Sequence, residues 1–534
     1  MKKKLLYISL MILPALLFFL EIILQHSRGE YYLFDNYDGP YGYLMASLNI
    51  ADLHKPGYFQ HPGIVPQLIS AAVIRLSYFL QGIDPNLISD TINRPEFYFS
   101  RINLAYNLLT SLSLFFLGKL AFEKVGNIIA AIFLQFSPFI SVVLIYSLSC
   151  NTGIASTTFL IFILVTIVIS FLNENEITRK KNRIYIYLFG ITSGLLIANV
   201  ISNLPILIIP FLLIKKSVNK LYFILISLIT FFILFLSISP ESTAIWKFVI
   251  GNIIHSGKYG TGSSNFIDFN RIIPSIELIY REFSLFCIVY ILVVFTLLIQ
   301  FIPKFKAQIR SNKYFVLLFG IYILMSLYII LVIKQIEGYY LLPGLTFSVL
   351  ALFSINSIVS DLFPRIFKFN KFVYITIFFI ILSIPQIKTY KNYINFFTTR
   401  KYESHKIVKY LKENYPQTIV ISSDQTASMP TAFYNALNYT GEQTKNYISI
   451  LNKKYPNYVY FQRWRKDFIY LDHNEDLKNR LMNSDTIVFH SFNEANFNDF
   501  KEKIKNYTKK PNTTFKEVFA NKNGEKIYLV ELKK

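Results

Sequence analysis

Long apolar runs separated by short polar stretches occupy most of this 534-residue chain, and a different rhythm takes over near Lys391. A helix needs about 20 mostly apolar residues to cross the hydrocarbon core of a bilayer. On hydropathy about eleven runs approach that length. They lie near residues 5–24, 102–117, 128–148, 153–172, 184–200, 204–214, 221–238, 285–302, 314–333, 340–358 and 372–387. Pro138 interrupts one of them, and Pro205 and Pro210 another. Such breaks are tolerated where neighbouring helices satisfy the freed backbone groups. The pattern predicts a polytopic α-helical membrane protein.

Two stretches depart from the spanning pattern. Between the first two runs, residues 41–50 and 64–80 are apolar-periodic, as expected of amphipathic helices lying in the membrane interface. After Lys391 short buried-strand patterns alternate with amphipathic helices. Strands are predicted at 418–423, 458–461 and 486–490, helices at 404–414, 475–482 and 493–506, and a hairpin from 515–519 and 526–532. That alternation predicts a soluble α/β domain over residues 391–534, following a membrane domain over 1–390.

Composition agrees with the membrane class. Only 16% of residues are charged and 53% are hydrophobic, with a mean hydropathy of +0.40. A soluble domain carries roughly 25% charged residues. The formal net charge of +22 could suggest a nucleic-acid partner. The basic residues instead fall in alternate loops, as cytoplasmic loops do under the positive-inside rule. Lys119 and Lys124 lie in one such loop, and Arg179, Lys180, Lys181 and Arg183 in the next. Lys215, Lys216 and Lys220, then Lys304, Lys306, Arg310 and Lys313, then Arg365, Lys368 and Lys371 complete the series. With Lys2–Lys4 inside, residues 25–101, residues 239–284 and the C-terminal domain lie outside. The first run is read as an uncleaved helix, because no small-residue cleavage site follows it. Cys150 and Cys287 have neither metal-ligand spacing nor the count of a disulfide framework. No nucleic-acid-binding motif is present.

The first outer loop carries the candidate chemistry. It opens with Asp35-Asn-Tyr-Asp38-Gly-Pro-Tyr41 and continues through Gly57-Tyr-Phe-Gln-His61-Pro62-Gly63. A carboxylate pair just outside an N-terminal helix, followed by an interfacial helix and a His-Pro turn, resembles the GT-C glycosyltransferases. The likeness is to the protein-mannosyltransferase branch that includes the lipid A aminoarabinose transferases. Those proteins show an acidic pair early in this loop and a Tyr-Phe-x-His-Pro-Pro stretch about one helix later. Here Gly63 replaces the second proline, Gln60 stands where an acid is frequent, and Asn151 replaces a frequent aspartate. Ser100-Arg101, Phe136-Ser-Pro138, Gly194-Leu-Leu and Gly338-Tyr-Tyr-Leu-Leu-Pro343 are weaker correspondences along the membrane part.

The resemblance implies an inverting transfer of a sugar from a polyprenyl-phosphate carrier to a lipid, glycan or protein acceptor at the outer face of a bacterial inner membrane. It carries the catalytic-base role to Asp38, with Asp35 as the alternative. A carboxylate within hydrogen-bond reach of the acceptor hydroxyl can take its proton. The leaving phosphate needs positive charge or donors. His255-Ser-Gly-Lys258-Tyr259-Gly-Thr-Gly262, in the second outer loop, could wrap a phosphate through backbone N–H groups and Lys258. Arg101, Lys334 and Arg271 are further phosphate partners, and His61, Tyr339 and Tyr340 further substrate-binding residues. No cofactor is expected. The chemistry admits a divalent metal, but the lone His61 and the missing acids give no ligand set for one. A flippase or an O-antigen polymerase or ligase is the alternative reading. A transporter would place ionisable residues inside its spans, whereas the acidic pair here lies in an outer loop.

Overall fold

The computed structural model describes residues 2–33, 39–57, 63–150, 153–174, 176–238, 250–257, 265–335, 337–364, 371–463, 465–469 and 474–533. Asp35, Asp38, His61, Lys258 and Tyr259 lie outside these residues. Among the described residues, nine helices are long and apolar enough to cross a membrane. They are Leu5–Arg28, Ile64–Gln81, Pro95–Val125, Gly153–Leu172, Ser217–Leu236, Ser284–Phe301, Phe315–Gln335, Gly338–Leu362 and Phe372–Asn414. The chain is a multi-pass membrane protein.

The difference from about eleven expected runs has local causes. The 128–148 run is cut into Ile128–Gln135, a 3-10 turn Ser137–Ile140 at Pro138, and Val142–Leu148. The 204–214 run is shortened by Pro205 in the 3-10 segment Ile201–Leu207, ahead of the Ile208–Leu213 helix. Proline removes a donor and its ring clashes with the preceding turn. The 184–200 run lies in the Arg179–Asn199 helix, whose first turns carry Arg179, Lys180, Lys181 and Arg183. Residues 64–80, expected to be interfacial, form an 18-residue helix that is itself among the nine. The expected helices at 372–387 and 404–414 are one continuous 44-residue helix, Lys371–Asn414, which accommodates Pro385.

The chain forms two compact units. One comprises Met1–Ile22, Phe59–Pro66 and Ala105–Tyr390. Its interior is apolar, with Phe133, Phe189, Ile321 and Tyr328 fully buried. Some interior polar groups are paired, as burial favours, while others, such as Tyr328 Oη and Ser193 Oγ, have no partner among the described residues. Asn199 accepts from Ser156 Oγ at 2.7 Å and donates to Gly153 O and Thr157 Oγ1 at 2.7 and 2.6 Å. Gln135 donates to Leu10 O and Leu114 O.

The other unit comprises Ile23–Tyr58, Gln67–Leu104 and Lys391–Lys534. Most of residues 25–101 therefore share a unit with the C-terminal residues. Its sheet has the order β3-β2-β1-β4-β6-β5. The strands are β1 (Val420–Ser423), β2 (Tyr458–Gln462), β3 (Asp467–Ile469), β4 (Thr486–Ser491), β5 (Thr514–Ala520) and β6 (Lys526–Glu531). The central strands β2, β1 and β4 are parallel, with Ser422 opposite Tyr460 and His490. The outer strands β3, β6 and β5 are antiparallel. One face buries Ile421, Phe461, Phe489 and Phe500, the last two stacked 3.7 Å apart. The opposite face buries Val420, Val488 and Ile527 under Ile407 and Leu411 of the long helix and under Leu33.

Candidate functional site

The segment that carries Asp35 and Asp38 is entered through a 3-10 turn, Tyr31–Leu33, and left through the helix Pro40–Ala51. Proline suits the first turn of a helix, where its missing N–H is not needed. Both flanks end on the same side chain. Tyr31 N–H donates to Glu96 Oε2 at 3.2 Å, and Tyr41 Oη donates to Glu96 Oε1 at 2.8 Å. Glu96 sits in the first turn of the Pro95–Val125 helix. The Tyr31 and Tyr41 rings lie against Phe99 at 4.5 and 5.0 Å, and Tyr41 also meets Phe433 edge-on at 5.0 Å. Burial, with the Glu96 carboxylate beside it, pushes the Tyr41 phenol well above its ordinary range, so it stays a donor. Arg28 lies 4.0 Å above the Tyr31 ring, and Tyr31 Oη donates to Asn103 Oδ1 at 2.9 Å.

The α/β sheet and its connections hold the same flank from the other side. Ser428 N–H donates to Tyr32 O at 3.2 Å, and Ser404 Oγ donates to Leu33 O at 3.2 Å. Ser404 also lies 3.4 Å from Glu525 Oε1. Glu525 is buried and accepts from Ala427 N–H and from His490 Nε2, each at 2.8 Å. Burial alone would raise the Glu525 carboxyl, but the hydrogen bond and charge of His490 and the Ala427 N–H hold it below its ordinary value.

Beyond Asp38, the Pro40–Ala51 helix is buried on nearly every face. Asn49 near its end donates to Lys55 O and Thr440 O at 3.0 and 2.8 Å and accepts from Tyr447 Oη. Gly57, just ahead of the Tyr58–Pro62 stretch, approaches Gly441 so closely that a Cβ on Gly57 would stand 2.4 Å from Gly441 N. Lys454 donates to Ile92 O and Asn93 O at the end of the Leu87–Asn93 helix.

The remaining predicted residues are placed as follows. Gly63 has φ +53° and donates to Asn199 O at 2.8 Å. Proline, locked near φ −65°, cannot take that conformation, which accounts for glycine in place of the family's second proline. Arg101 donates to Gln81 Oε1 at 2.9 Å and lies over the Phe97 ring. Arg271 pairs with Asp268 at 3.0 Å. Lys334 is buried, and its ammonium donates to Ile253 O and Phe266 O, both at 3.0 Å, beneath the Phe266 ring. Gly257 N–H donates to Lys334 O at 3.1 Å. The structure therefore brings Lys334 together with the chain on both sides of residues 258–264, and spends its charge on backbone carbonyls. His255 closes the helical turn there, its N–H on Gly251 O. Tyr339 and Tyr340 lie in a 3-10 turn with ring centroids 4.4 Å apart. Among the described residues, no group of three His, Cys, Asp or Glu side chains is placed to hold a metal ion.

Sequence reasoning missed Glu96, Ser404, Ser428 and Glu525. An acid after proline in a first helical turn is an ordinary helix-start signal. Nothing in the local sequence sets Glu96 apart from that role.

The apolar helices and the appended sheet together define a multi-pass helical membrane fold with a C-terminal α/β domain. Two solved structures of ArnT from Cupriavidus metallidurans share this architecture. The one bound to undecaprenyl phosphate matches with a TM-score of 0.50 at 9% identity, over 99% of this chain and 98% of that chain. The apo structure matches with a TM-score of 0.50 at 11% identity, over 93% and 95%. At these identities the likeness is one of fold. No family model and no curated protein matches the sequence.

Proposed function

We propose that this protein is a membrane glycosyltransferase that moves a sugar from a polyprenyl-phosphate donor to a lipid, glycan or protein hydroxyl at the outer face of a bacterial cytoplasmic membrane. One observation carries the reading. The segment bearing Asp35 and Asp38 begins and ends at residues tied to one carboxylate, Glu96, in a chain that follows the GT-C fold along its whole length. The ArnT neighbour binds undecaprenyl phosphate, a ligand of the class the donor requires.

In the proposed step Asp38 takes the proton of the acceptor hydroxyl. The acceptor oxygen bonds to the anomeric carbon from the face opposite the phosphate. The bond from that carbon to the phosphate oxygen breaks, and its electron pair leaves with polyprenyl phosphate. Donors near the phosphate stabilise the charge that develops there, a role we propose for Lys258 in the glycine-rich segment 255–262. The C-terminal domain then lies outside the cell membrane with the acidic segment. The test is release of polyprenyl phosphate by the purified protein in detergent, with donors carrying different sugars and a membrane extract as acceptor. Release with at least one donor is expected. No release with any donor overturns the reading.

A further inference from the structure

We infer that Glu96 is a positioning residue that sets the place of the acidic segment by holding both of its ends, an inference that rests on the proposed transferase reading. The two hydrogen bonds use different oxygens of one carboxylate, 2.8 Å to Tyr41 Oη and 3.2 Å to Tyr31 N–H. One donor precedes Asp35 and the other follows Asp38, so the carboxylate closes a loop of ten residue steps. Removing one tie frees one end of a short loop, and a misplacement of about 1 Å in a reacting group costs on the order of a hundredfold in rate. Glu96 bonds the residues that flank the acidic segment, so its effect is expected on turnover rather than on donor binding.

A carboxylate is required because both partners are donors. Glu96→Gln offers one acceptor oxygen and turns an NH2 group toward the other donor, so one end is released while size is kept. Glu96→Asp retains two acceptors on a shorter stem. Tyr41→Phe removes a single tie and leaves Glu96 in place.

The test compares these three variants with wild type for turnover, donor affinity and amide exchange over residues 31–41 in detergent. Glu96→Gln and Tyr41→Phe should lower turnover by roughly tenfold or more with donor affinity unchanged. Both should quicken exchange over residues 31–41 while β1 and β4 exchange as in wild type. Glu96→Asp should restore part of each. Wild-type turnover and wild-type exchange in both Glu96→Gln and Tyr41→Phe overturn the inference. So does a fall in donor affinity that accounts for the whole loss. The exchange measurement needs no donor. If the wild type transfers no sugar, the transferase reading fails while the exchange data still decide whether Glu96 holds the segment.

Discussion

Replacing Gly57 by alanine adds one methyl group where two backbones touch. The new Cβ would stand 2.4 Å from Gly441 N and 2.6 Å from both the carbonyl carbon and the oxygen of Tyr439. All three are backbone atoms, so no side chain can swing away. Restoring ordinary contact near 3.5 Å requires the two chains to part by about 1 Å. A shift of that size stretches the neighbouring bond from Asn49 Nδ2 to Thr440 O, now 2.8 Å, beyond hydrogen-bonding range. Overpacking of this kind costs about 1–3 kcal/mol, and the lost buried hydrogen bond adds about 1 kcal/mol. Gly57 also leads directly into the Tyr58–Pro62 stretch. The variant should therefore melt several degrees lower, with faster amide exchange over residues 42–57 and 437–445, and should transfer sugar more slowly. Gly251→Ala is the control, because nothing lies within 4 Å of its added Cβ. It should match or slightly exceed wild-type stability, as alanine does for glycine in a helix. A Gly57→Ala protein with wild-type melting and wild-type exchange in both segments would refute the close approach and the joining of residues 42–57 to residues 437–445 that it implies.

Two further expectations concern pH. Burial pushes the Lys454 ammonium down from 10.5 to about 8. The unfolded chain then binds a proton between those values that the folded chain lacks, so this group costs stability below pH 8 and the cost lifts as pH rises. Raising pH from 7.5 to 9.5 should therefore favour wild type over Lys454→Met in a melting comparison; parallel curves would count against it. Glu525 has the opposite sign. Its folded value is depressed below 4.5, so its stabilisation is present above that value and is lost as pH falls through the folded value. Glu525→Gln should be less stable than wild type at pH 7, and the gap should shrink below about pH 4; a constant gap on acidification would refute the pairing with His490.

The membrane class and the order of the α/β elements were legible in the sequence because each rests on a local period. Residues 458–461 and 486–490 are apolar runs of strand length, and they form β2 and β4 with small extensions. The hairpin at 515–519 and 526–532 appears as β5 and β6. Lys371–Asn414 was misread as two helices because its composition changes from apolar to charged midway while its backbone does not. What local pattern could not supply was long-range pairing. Glu96 meets Tyr31 and Tyr41 across 65 and 55 residues, and Ser404 meets Leu33 across 371. No period or motif encodes such contacts. Lys334 was legible as the basic residue of a short loop and a candidate phosphate partner, but not as the partner of Ile253 O and Phe266 O. Asp35, Asp38, His61, Lys258 and Tyr259 rest on the sequence and the family resemblance, since they lie outside the described residues.

The central claim is that Asp38 is the base of a polyprenyl-dependent sugar transfer. The most direct test is single-turnover release of polyprenyl phosphate by Asp38→Asn protein in detergent, alongside wild type and Asp35→Asn. Asparagine keeps the shape of the side chain and removes the base. The account predicts no measurable release from Asp38→Asn, at unchanged melting temperature and donor affinity, and a smaller loss from Asp35→Asn. Release by Asp38→Asn within a few-fold of wild type would remove Asp38 from the mechanism and contradict the account.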